Sequence, residues 1–349
     1  METFKIPKAK EQVIPQAENL FKSVLLVVLL IGSLALAQVG VTKIDTYFSF
    51  NLEAIHLVIK WAFVTVLAVF NCILLTGIGV IAHEGIHGVL FKSRFWNDLW
   101  GGILSALVVF LPFYANREFH LTHHRYTHQP DLDPEQPLHN HSFWYAFAMG
   151  GFIALYQHYK IVAANLLGVF SLKWNKVFRG LKDICFVGVA VAFYFYLLPM
   201  QGISLWYTVV PTFVLVPMVY SFRAMCDHYA FAPAVSPAAK KSLDRVVNIE
   251  DQSEDLQGEQ LQIDSWLILT NPMLTWLWSN INYQQVHHRY PYLSYRYLPE
   301  IFEATKHEQP YALVNGYFRC LMHLKNMPYY STHEQIKPFL FGVTSENSV

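Results

Sequence analysis

Residues 61–87 read WAFVTVLAVFNCILLTGIGVIAHEGIH and join a long uncharged run to two histidines. The run from Trp61 to Ala82 has 22 residues without a charge, and as a helix it is long enough to cross a hydrocarbon layer of roughly 30 Å. In the His83-Glu-Gly-Ile-His87 that follows, the spacing of four puts both imidazoles on one helix face about one turn apart. This stretch therefore predicts a membrane helix that ends in two potential metal ligands.

Two other regions of the chain are equally apolar. Ser23 to Thr42 has 20 uncharged residues, and Ile184 to Phe222 has 39, with Leu-Pro-Met-Gln-Gly at 198–202 near its middle. Proline and glycine break a helix there, so the longer run predicts two spans joined by a tight turn. The whole chain is 54% hydrophobic and only 14% charged, which is too apolar for an ordinary soluble domain. We predict an all-α, multi-pass integral membrane protein with four transmembrane helices and a cytoplasmic, histidine-rich helical cap.

The remaining segments are harder to assign. Leu99 to Asn116 and Ser142 to Gln157 are shorter apolar stretches that could be re-entrant, interfacial or spanning, which would raise the total to six helices. Both must span or neither, because a single crossing would put the histidine groups on opposite faces of the membrane. Trp266 to Asn282 predicts an interfacial helix pair, and the hydrophilic Lys240 to Asp264 predicts a surface loop.

The charged residues predict the orientation in the membrane. Lys and Arg cluster before the first span, after the second and before the hairpin, whereas the two intervening loops carry only Lys43 and Lys60. This bias places both termini, and the histidines at the end of the second span, on the cytoplasmic side. We expect 1–349 to be one domain, with a cytoplasmic N-terminal segment at 1–22 and a cytoplasmic C-terminal tail at 300–349. The 25 basic residues balance 25 acidic ones, so nucleic acid is not an expected partner.

A second histidine group follows the first shorter apolar stretch. Residues 120–124 read HLTHH, and His128 comes one turn later. If the helix continues, four imidazoles line a single helical face. The prolines of the next segment end the helix, and its Asp131 and Asp133 can accept the distal N–H of ligating histidines.

A third group lies near the C-terminal end. Residues 280–288 read NINYQQVHH, in which Gln284 precedes His287 and His288 by three and four residues. A further histidine, His228, stands about a turn beyond the hairpin. All these elements lie at the same predicted end of the spans, so the sequence predicts that they converge at one membrane boundary.

These residues resemble the membrane fatty-acid desaturase and hydroxylase superfamily, whose boxes read His-x₃₋₄-His, His-x₂₋₃-His-His and [His/Gln]-x₂-His-His. The likeness covers most of the chain from about Gly77 to Pro299, with the boxes in the family's order. It implies two non-haem irons and O₂ as co-substrate. The ligands that it implies are His83, His87, His120, His123, His124, His228, His287 and His288, with His128, Gln284, Asp131 and Asp133 as further candidates for ligands or outer contacts. Many members carry histidine at the position of Gln284, and glutamine there resembles the front-end desaturase variant.

The resemblance implies a fatty-acid (acyl-lipid) desaturase that introduces a C=C bond. Its expected partners are a lipid acyl chain, the membrane lipids and an external electron donor such as ferredoxin or cytochrome b5. The same scaffold also suits a hydroxylase, ketolase or decarboxylase of fatty acid, alkane, sphingolipid or carotenoid. An intramembrane zinc protease would explain His83-Glu84-His87 but not the other two boxes. A haem electron carrier or metal transporter would place histidines in the middle of spans, where the three long uncharged runs have none.

The predicted orientation is tested by cysteine labelling in intact cells, using a variant that lacks the four native cysteines. We expect Gly202→Cys to react with a membrane-impermeant thiol reagent from outside, and Lys173→Cys to react only after permeabilisation, because the positively charged loops stay in the cytoplasm. Reaction of Lys173→Cys from outside would overturn the orientation.

Overall fold

The computed structural model of the protein describes residues 5–48, 53–139, 141–231, 263–328, 331 and 333–341. Its helices are α1 (Gln16–Phe48), α2 (Glu53–Ile86), α3 (Arg94–Leu107), α4 (Phe113–Tyr126), α5 (Gln136–His139), α6 (Phe143–Leu167), α7 (Trp174–Ala192), α8 (Leu198–Met200), α9 (Val209–His228), α10 (Pro272–Leu277), α11 (Gln284–Arg289), α12 (Leu298–Thr305), α13 (Tyr317–Leu324) and α14 (His333–Ile336). Its strands are β1 (Trp266–Leu269), β2 (Tyr311–Asn315) and β3 (Leu340–Phe341).

Four helical segments of the described chain are long and apolar enough to cross a membrane. They are Gln16–Tyr47, Ala54–Ile86, Trp174–Met200 and Leu205–His228. They contain the four predicted spans, and the prediction of an all-α integral membrane protein is confirmed. The chain reverses between the last two at Gly202, whose φ of +76° lies in the left-handed region that glycine adopts without strain. The first helix begins at Gln16, within the segment 1–22 that the sequence predicts to precede the membrane.

The two shorter apolar stretches form helices that are not among those four. α3 and α4 have 14 residues each, and roughly 21 Å of helix is too short to cross the hydrocarbon layer. The turn between them holds Val109 and Phe110 at φ values of 50° and 60°. α6 has 25 residues but is likewise absent from the four segments. Four spans without α3, α4 and α6 correspond to the alternative in which neither of the two stretches crosses the membrane.

The helices pack around α2 and α9. α2 contacts α1, α3 and α9, while α6 contacts α7 and α9. The approach of α6 to α9 is unusually close at Gly151, where a Cβ atom would lie 2.0 Å from the carbonyl oxygen of Pro217. The amide of Gly151 also donates to Ser221 Oγ at 2.6 Å. Only glycine allows the two backbones to meet at this point, where Pro217 and Ser221 lie eleven and seven residues before His228 on α9.

The C-terminal part of the chain departs from the prediction. Trp266 to Asn282 is not a helix pair, because it begins with β1, which pairs in parallel with β2, and only α10 follows. A buried apolar run of four residues has no period that separates strand from helix, so its partner strand decides the conformation. In the segment predicted as a C-terminal tail, β2 and α13 pack into the same apolar cluster as Met225 and Cys226 of α9. Most of the predicted surface loop, Lys240 to Asp264, lies outside the described residues.

Replacement of Gly151 by alanine tests the packing of α6 on α9. Because the added methyl meets backbone, Gly151→Ala should cost about 1–3 kcal/mol of stability and lower the melting temperature in detergent. Gly188→Ala is the matched control, since a Cβ atom there has nothing within 4 Å and alanine favours helix. Equal melting temperatures for the two variants would contradict the close approach.

Candidate metal centre

Five imidazoles form a first cluster, which consists of His83, His87, His120, His124 and His287. The first two come from the end of α2, the next two from α4 and the last from α11. One potential ligand atom from each lies within 4.8 Å of all the others. The spacing of four in the first box and between the outer histidines of the second puts each pair on one helix face, as the sequence predicts.

The nitrogen atoms of the first cluster face one another. His120 Nε2 lies 2.7 Å from His83 Nε2, 3.0 Å from His87 Nε2 and 2.9 Å from His124 Nε2. His287 Nε2 lies 3.2 Å from His124 Nε2. A ring nitrogen carries either one proton or one lone pair, so hydrogen bonds cannot satisfy a convergence of this kind. A metal ion that accepts all these lone pairs can.

The protonation states fit a metal site. Burial, reinforced by the neighbouring imidazoles, holds the pKa values of His120, His124 and His287 well below the usual range. Burial likewise lowers the pKa of His87 to about 3. Metal binding requires neutral imidazoles, and these side chains are neutral at physiological pH.

Three more imidazoles form a second cluster, which consists of His123, His228 and His288. His123 Nε2 lies 3.3 Å from His228 Nε2, and His288 Nε2 is buried without a hydrogen-bond partner among the described residues. The two clusters touch, since the ring centroids of His124 and His288 are 4.3 Å apart. The second histidine box therefore divides between the clusters, with its middle histidine, His123, turned to the second.

Carboxylates contact the Nδ1 atoms of two imidazoles in the second cluster. His123 Nδ1 lies 2.9 Å from Asp133 Oδ1. Burial alone would lower the pKa of His123, but Asp133 and the nearby Glu135 raise it to about 9. His288 Nδ1 lies 3.3 Å from Asp264 Oδ2. Burial would raise the pKa of Asp264, but His288 holds it below its usual range, so this group is a carboxylate at neutral pH.

Two of the candidate residues behave differently from the sequence prediction. α4 ends at Tyr126, and His128 has a φ of +61°, so His128 does not extend the histidine stripe of the helix. Its Nε2 instead lies 2.6 Å from the carbonyl oxygen of Asp264. Asp131 is exposed, and its backbone amide donates to Gln136. Only the second of the two predicted aspartates, Asp133, reaches a histidine of the clusters.

Gln284 lies against the second cluster. It is 2% exposed, its Nε2 lies 3.2 Å from His228 Nε2, and its Oε1 has no partner among the described residues. Rotation of the Gln284 amide by half a turn would bring its oxygen toward His228. Gln284 can therefore present its side-chain carbonyl oxygen as a ligand next to the three imidazoles of the second cluster.

Polar residues that the sequence did not single out hold the clusters in place. Arg117 Nη2 donates to the carbonyl oxygen of Gly85 at 2.7 Å and to Asp98 Oδ1 at 2.6 Å, and its Nε donates to the carbonyl oxygen of Ile86. Asn97 Nδ2 donates to the same Gly85 oxygen at 2.7 Å. These bonds fasten the end of α2 to α3 and α4. The only sequence signal was the position of Arg117 on the same helical face as two histidines of the second box.

Fold and site together define a membrane protein with two adjoining histidine clusters that could hold metal ions. The family model described as fatty acid desaturase matches residues 59–318, which is well over half of the chain. The protein belongs to the fatty acid desaturase family.

Two characterised relatives share parts of the sequence. The chain is 28% identical over 152 residues to the zeaxanthin 4-ketolase of Chlamydomonas reinhardtii, a match that covers 39% of this chain and 34% of the ketolase. It is 36% identical over 73 residues to the sn-1 oleoyl-lipid 12-desaturase of Arthrospira platensis, a match that covers 21% of this chain and 20% of that desaturase. The matches thus span about a third and a fifth of the two relatives. Both relatives are oxidoreductases on this scaffold, and they carry out different reactions.

The contribution of Gln284 is tested by substitution. Gln284→Ala should reduce product formation roughly tenfold, as outer ligands often do, while most of the iron stays bound, because three imidazoles remain in the second cluster. His287→Ala and His288→Ala should lose iron and activity together, whereas Gln284→His should keep some activity. Iron content and lipid product are the measurements.

Gln285→Ala is the matched control for that prediction. Its side chain bonds to Ala312 and Pro310 and contacts no histidine of the clusters. This control should lower the melting temperature without changing product formed per folded protein. If Gln284→Ala equals the parent in both iron content and product, Gln284 is not part of the site.

Proposed function

We propose that this protein is a di-iron oxidoreductase that uses O₂ to introduce a C=C bond into the acyl chain of a membrane lipid. The observation that carries the proposal is the meeting of eight histidines in two touching clusters at the ends of apolar helices. The family membership supports an oxidoreductase on this scaffold. The proposed ligands are the eight histidines, with Gln284 beside the second cluster.

The donor set favours iron over zinc for this chemistry. Imidazole suits both metals, but a redox metal is needed to break an unactivated methylene C–H bond with O₂. Eight imidazoles exceed what one tetrahedral zinc ion accepts, and two clusters match two ions. Iron bound here would supply the O₂ activation, and the protein would supply position, neutral ligands and exclusion of water.

The surroundings support a lipid chain as substrate. The apolar cluster that fills the membrane helices reaches Ile81 and Ala82, directly before His83. A second apolar group, Ile86 with Phe113 and Tyr114, lies beside the next turn of α2 and the start of α4. An acyl chain that enters along these helices would meet the first cluster without crossing water, and the apolar walls would hold it extended.

An intramembrane zinc protease receives no support from the position of Glu84. In such an enzyme this glutamate would act as general base toward a metal-bound water. Here Glu84 is 2% exposed, and its Oε2 accepts a hydrogen bond from the amide of Tyr295 at 3.1 Å. The glutamate therefore joins α2 to the segment after the third box.

Ketolation is the second candidate reaction. The longer of the two matches with known proteins is to a carotenoid ketolase, and the ligand set does not determine whether a substrate radical loses a second hydrogen or gains oxygen. In both cases we propose that electrons come from a separate carrier, such as a ferredoxin or cytochrome b5, on the cytoplasmic side.

The proposed function is tested by metal analysis and by lipid and carotenoid profiling of a heterologous host. The purified parent should contain about two irons per chain, and the host should gain new C=C bonds in acyl chains. His124→Ala should lower the product at least roughly 100-fold, since it removes a ligand nitrogen and not merely an outer contact. The matched control is the exposed His307, whose replacement by alanine should change nothing.

The outcomes distinguish the candidates. One zinc and no iron would refute the di-iron proposal. A keto-carotenoid with unchanged acyl chains would replace desaturation by ketolation. Unchanged lipids and carotenoids in a host that makes iron-loaded protein would contradict both reactions.

A further inference from the structure

One residue outside the histidine boxes touches three imidazoles. The carboxylate of Asp264 lies 3.3 Å from His288 Nδ1. The backbone carbonyl of the same residue lies 2.6 Å from His128 Nε2 and 3.3 Å from His228 Nδ1. Two of these imidazoles belong to the second cluster, and they come from α9 and α11, which are far apart in sequence.

These contacts set the tautomer of the ligands. A neutral imidazole has one N–H, and the hydrogen bond made by one ring nitrogen decides which atom carries the proton. Nδ1–H of His228 donates to the backbone carbonyl of Asp264, Nδ1–H of His288 donates to the Asp264 carboxylate, and Nδ1–H of His123 donates to Asp133. The rings of His228 and His288 are then left with a lone pair on Nε2. The Nε2 of His228 lies 3.3 Å from that of His123, and the Nε2 of His288 has no partner among the described residues.

Hydrogen bonds around β1 fix the position of Asp264 relative to the histidines that it contacts. It directly precedes β1, and Ser265 Oγ donates to its Oδ1 at 2.8 Å. On one side of β1, Trp266 Nε1 donates to the carbonyl of Tyr229, the residue after His228. On the other side, the amide of Ile268 donates to the carbonyl of Asn282, two residues before Gln284. The strand thus connects the end of α9 to the beginning of α11 and carries Asp264 between them.

The first cluster is built differently. It has five imidazoles against three, and the Nδ1 of His83 is buried with no partner among the described residues. With fewer nitrogens, the second cluster depends more on the orientation of each ring. Outer hydrogen bonds of this type fix ring orientation and raise ligand basicity.

We propose that Asp264 is a positioning residue that assembles the second of two metal centres. Its backbone carbonyl accepts a hydrogen bond from Nδ1–H of His228 and its carboxylate accepts one from Nδ1–H of His288, so that both rings turn Nε2 toward the ion. This inference rests on the proposed function, because it assumes that the clusters bind metal. The inference predicts that the two centres differ in how their ligands are positioned. Loss of the Asp264 carboxylate should weaken metal binding at the second centre only.

The test compares iron retention in the full-length parent, Asp264→Ala, Asp264→Asn and Asp131→Ala in detergent. The proteins are loaded anaerobically with Fe²⁺, titrated with a chelator and examined by Mössbauer spectroscopy. Asp264→Ala removes the acceptor of His288 but leaves the backbone carbonyl. Asp264→Asn keeps a neutral acceptor oxygen at the same place. Asp131→Ala removes an exposed carboxylate that contacts no histidine of the clusters, and it is the matched control.

We expect two equally populated iron signals in the parent. In Asp264→Ala one iron should be lost at a roughly 10–100-fold lower chelator concentration, while the other signal keeps its parameters. Asp264→Asn should fall between Asp264→Ala and the parent, and Asp131→Ala should equal the parent. This pattern is not one that general unfolding produces, because unfolding releases both ions.

Several results would overturn the proposal. Parallel loss of both irons in Asp264→Ala and Asp264→Asn would assign Asp264 a role in overall folding. Retention of both irons with parental spectra would show that the His288 contact is dispensable, while leaving the proposed function intact. A parent that binds no metal would overturn the proposed function and this inference together. If Asp264→Ala does not fold, Asp264→Asn decides between the first two results.

Discussion

The structure depends on the convergence of ring nitrogens that cannot satisfy one another. His120 Nε2 has three other imidazole nitrogens within 3.0 Å, and each ring has at most one proton to share through that atom. Without a cation the arrangement leaves buried lone pairs opposed, which is costly in an apolar surrounding. A bound cation makes the same arrangement favourable, because each lone pair is then attracted to the cation. The elements that carry the histidines therefore have to be held together by other contacts, and the packing of the membrane helices provides them.

The sequence predicted the parts that depend on local spacing. Long uncharged runs gave the four spans, and the i, i+4 spacing of His83 and His87 gave a shared face at the end of α2. The convergence of the boxes also followed, because all of them come at one end of predicted spans. The eight histidines implied by the family resemblance are the same eight that the two clusters bring together.

The sequence could not predict features that depend on contacts between distant segments. The division of the second box between the clusters depends on which ring of α4 meets α9 and α11. His128 left the helical stripe because α4 ends at Tyr126 before reaching it. Asp264 had no recognisable spacing to any box, and its role appears only when β1 pairs with β2. A strand of four apolar residues, embedded in a helical protein, gave no periodic signal of its own.

The set of histidine ligands does not by itself determine which reaction takes place. A desaturase and a ketolase are both relatives of this chain, so similarity of sequence does not by itself separate the two reactions. The bonds of Arg117 and Asn97 to the carbonyl oxygen of Gly85 fix the end of α2, which carries His83, against α3 and α4. Shifts of about 1 Å are large for reactions that need atoms in near contact. The polar contacts behind the histidines therefore matter for any reaction at this site, because they limit how far the end of α2 can move.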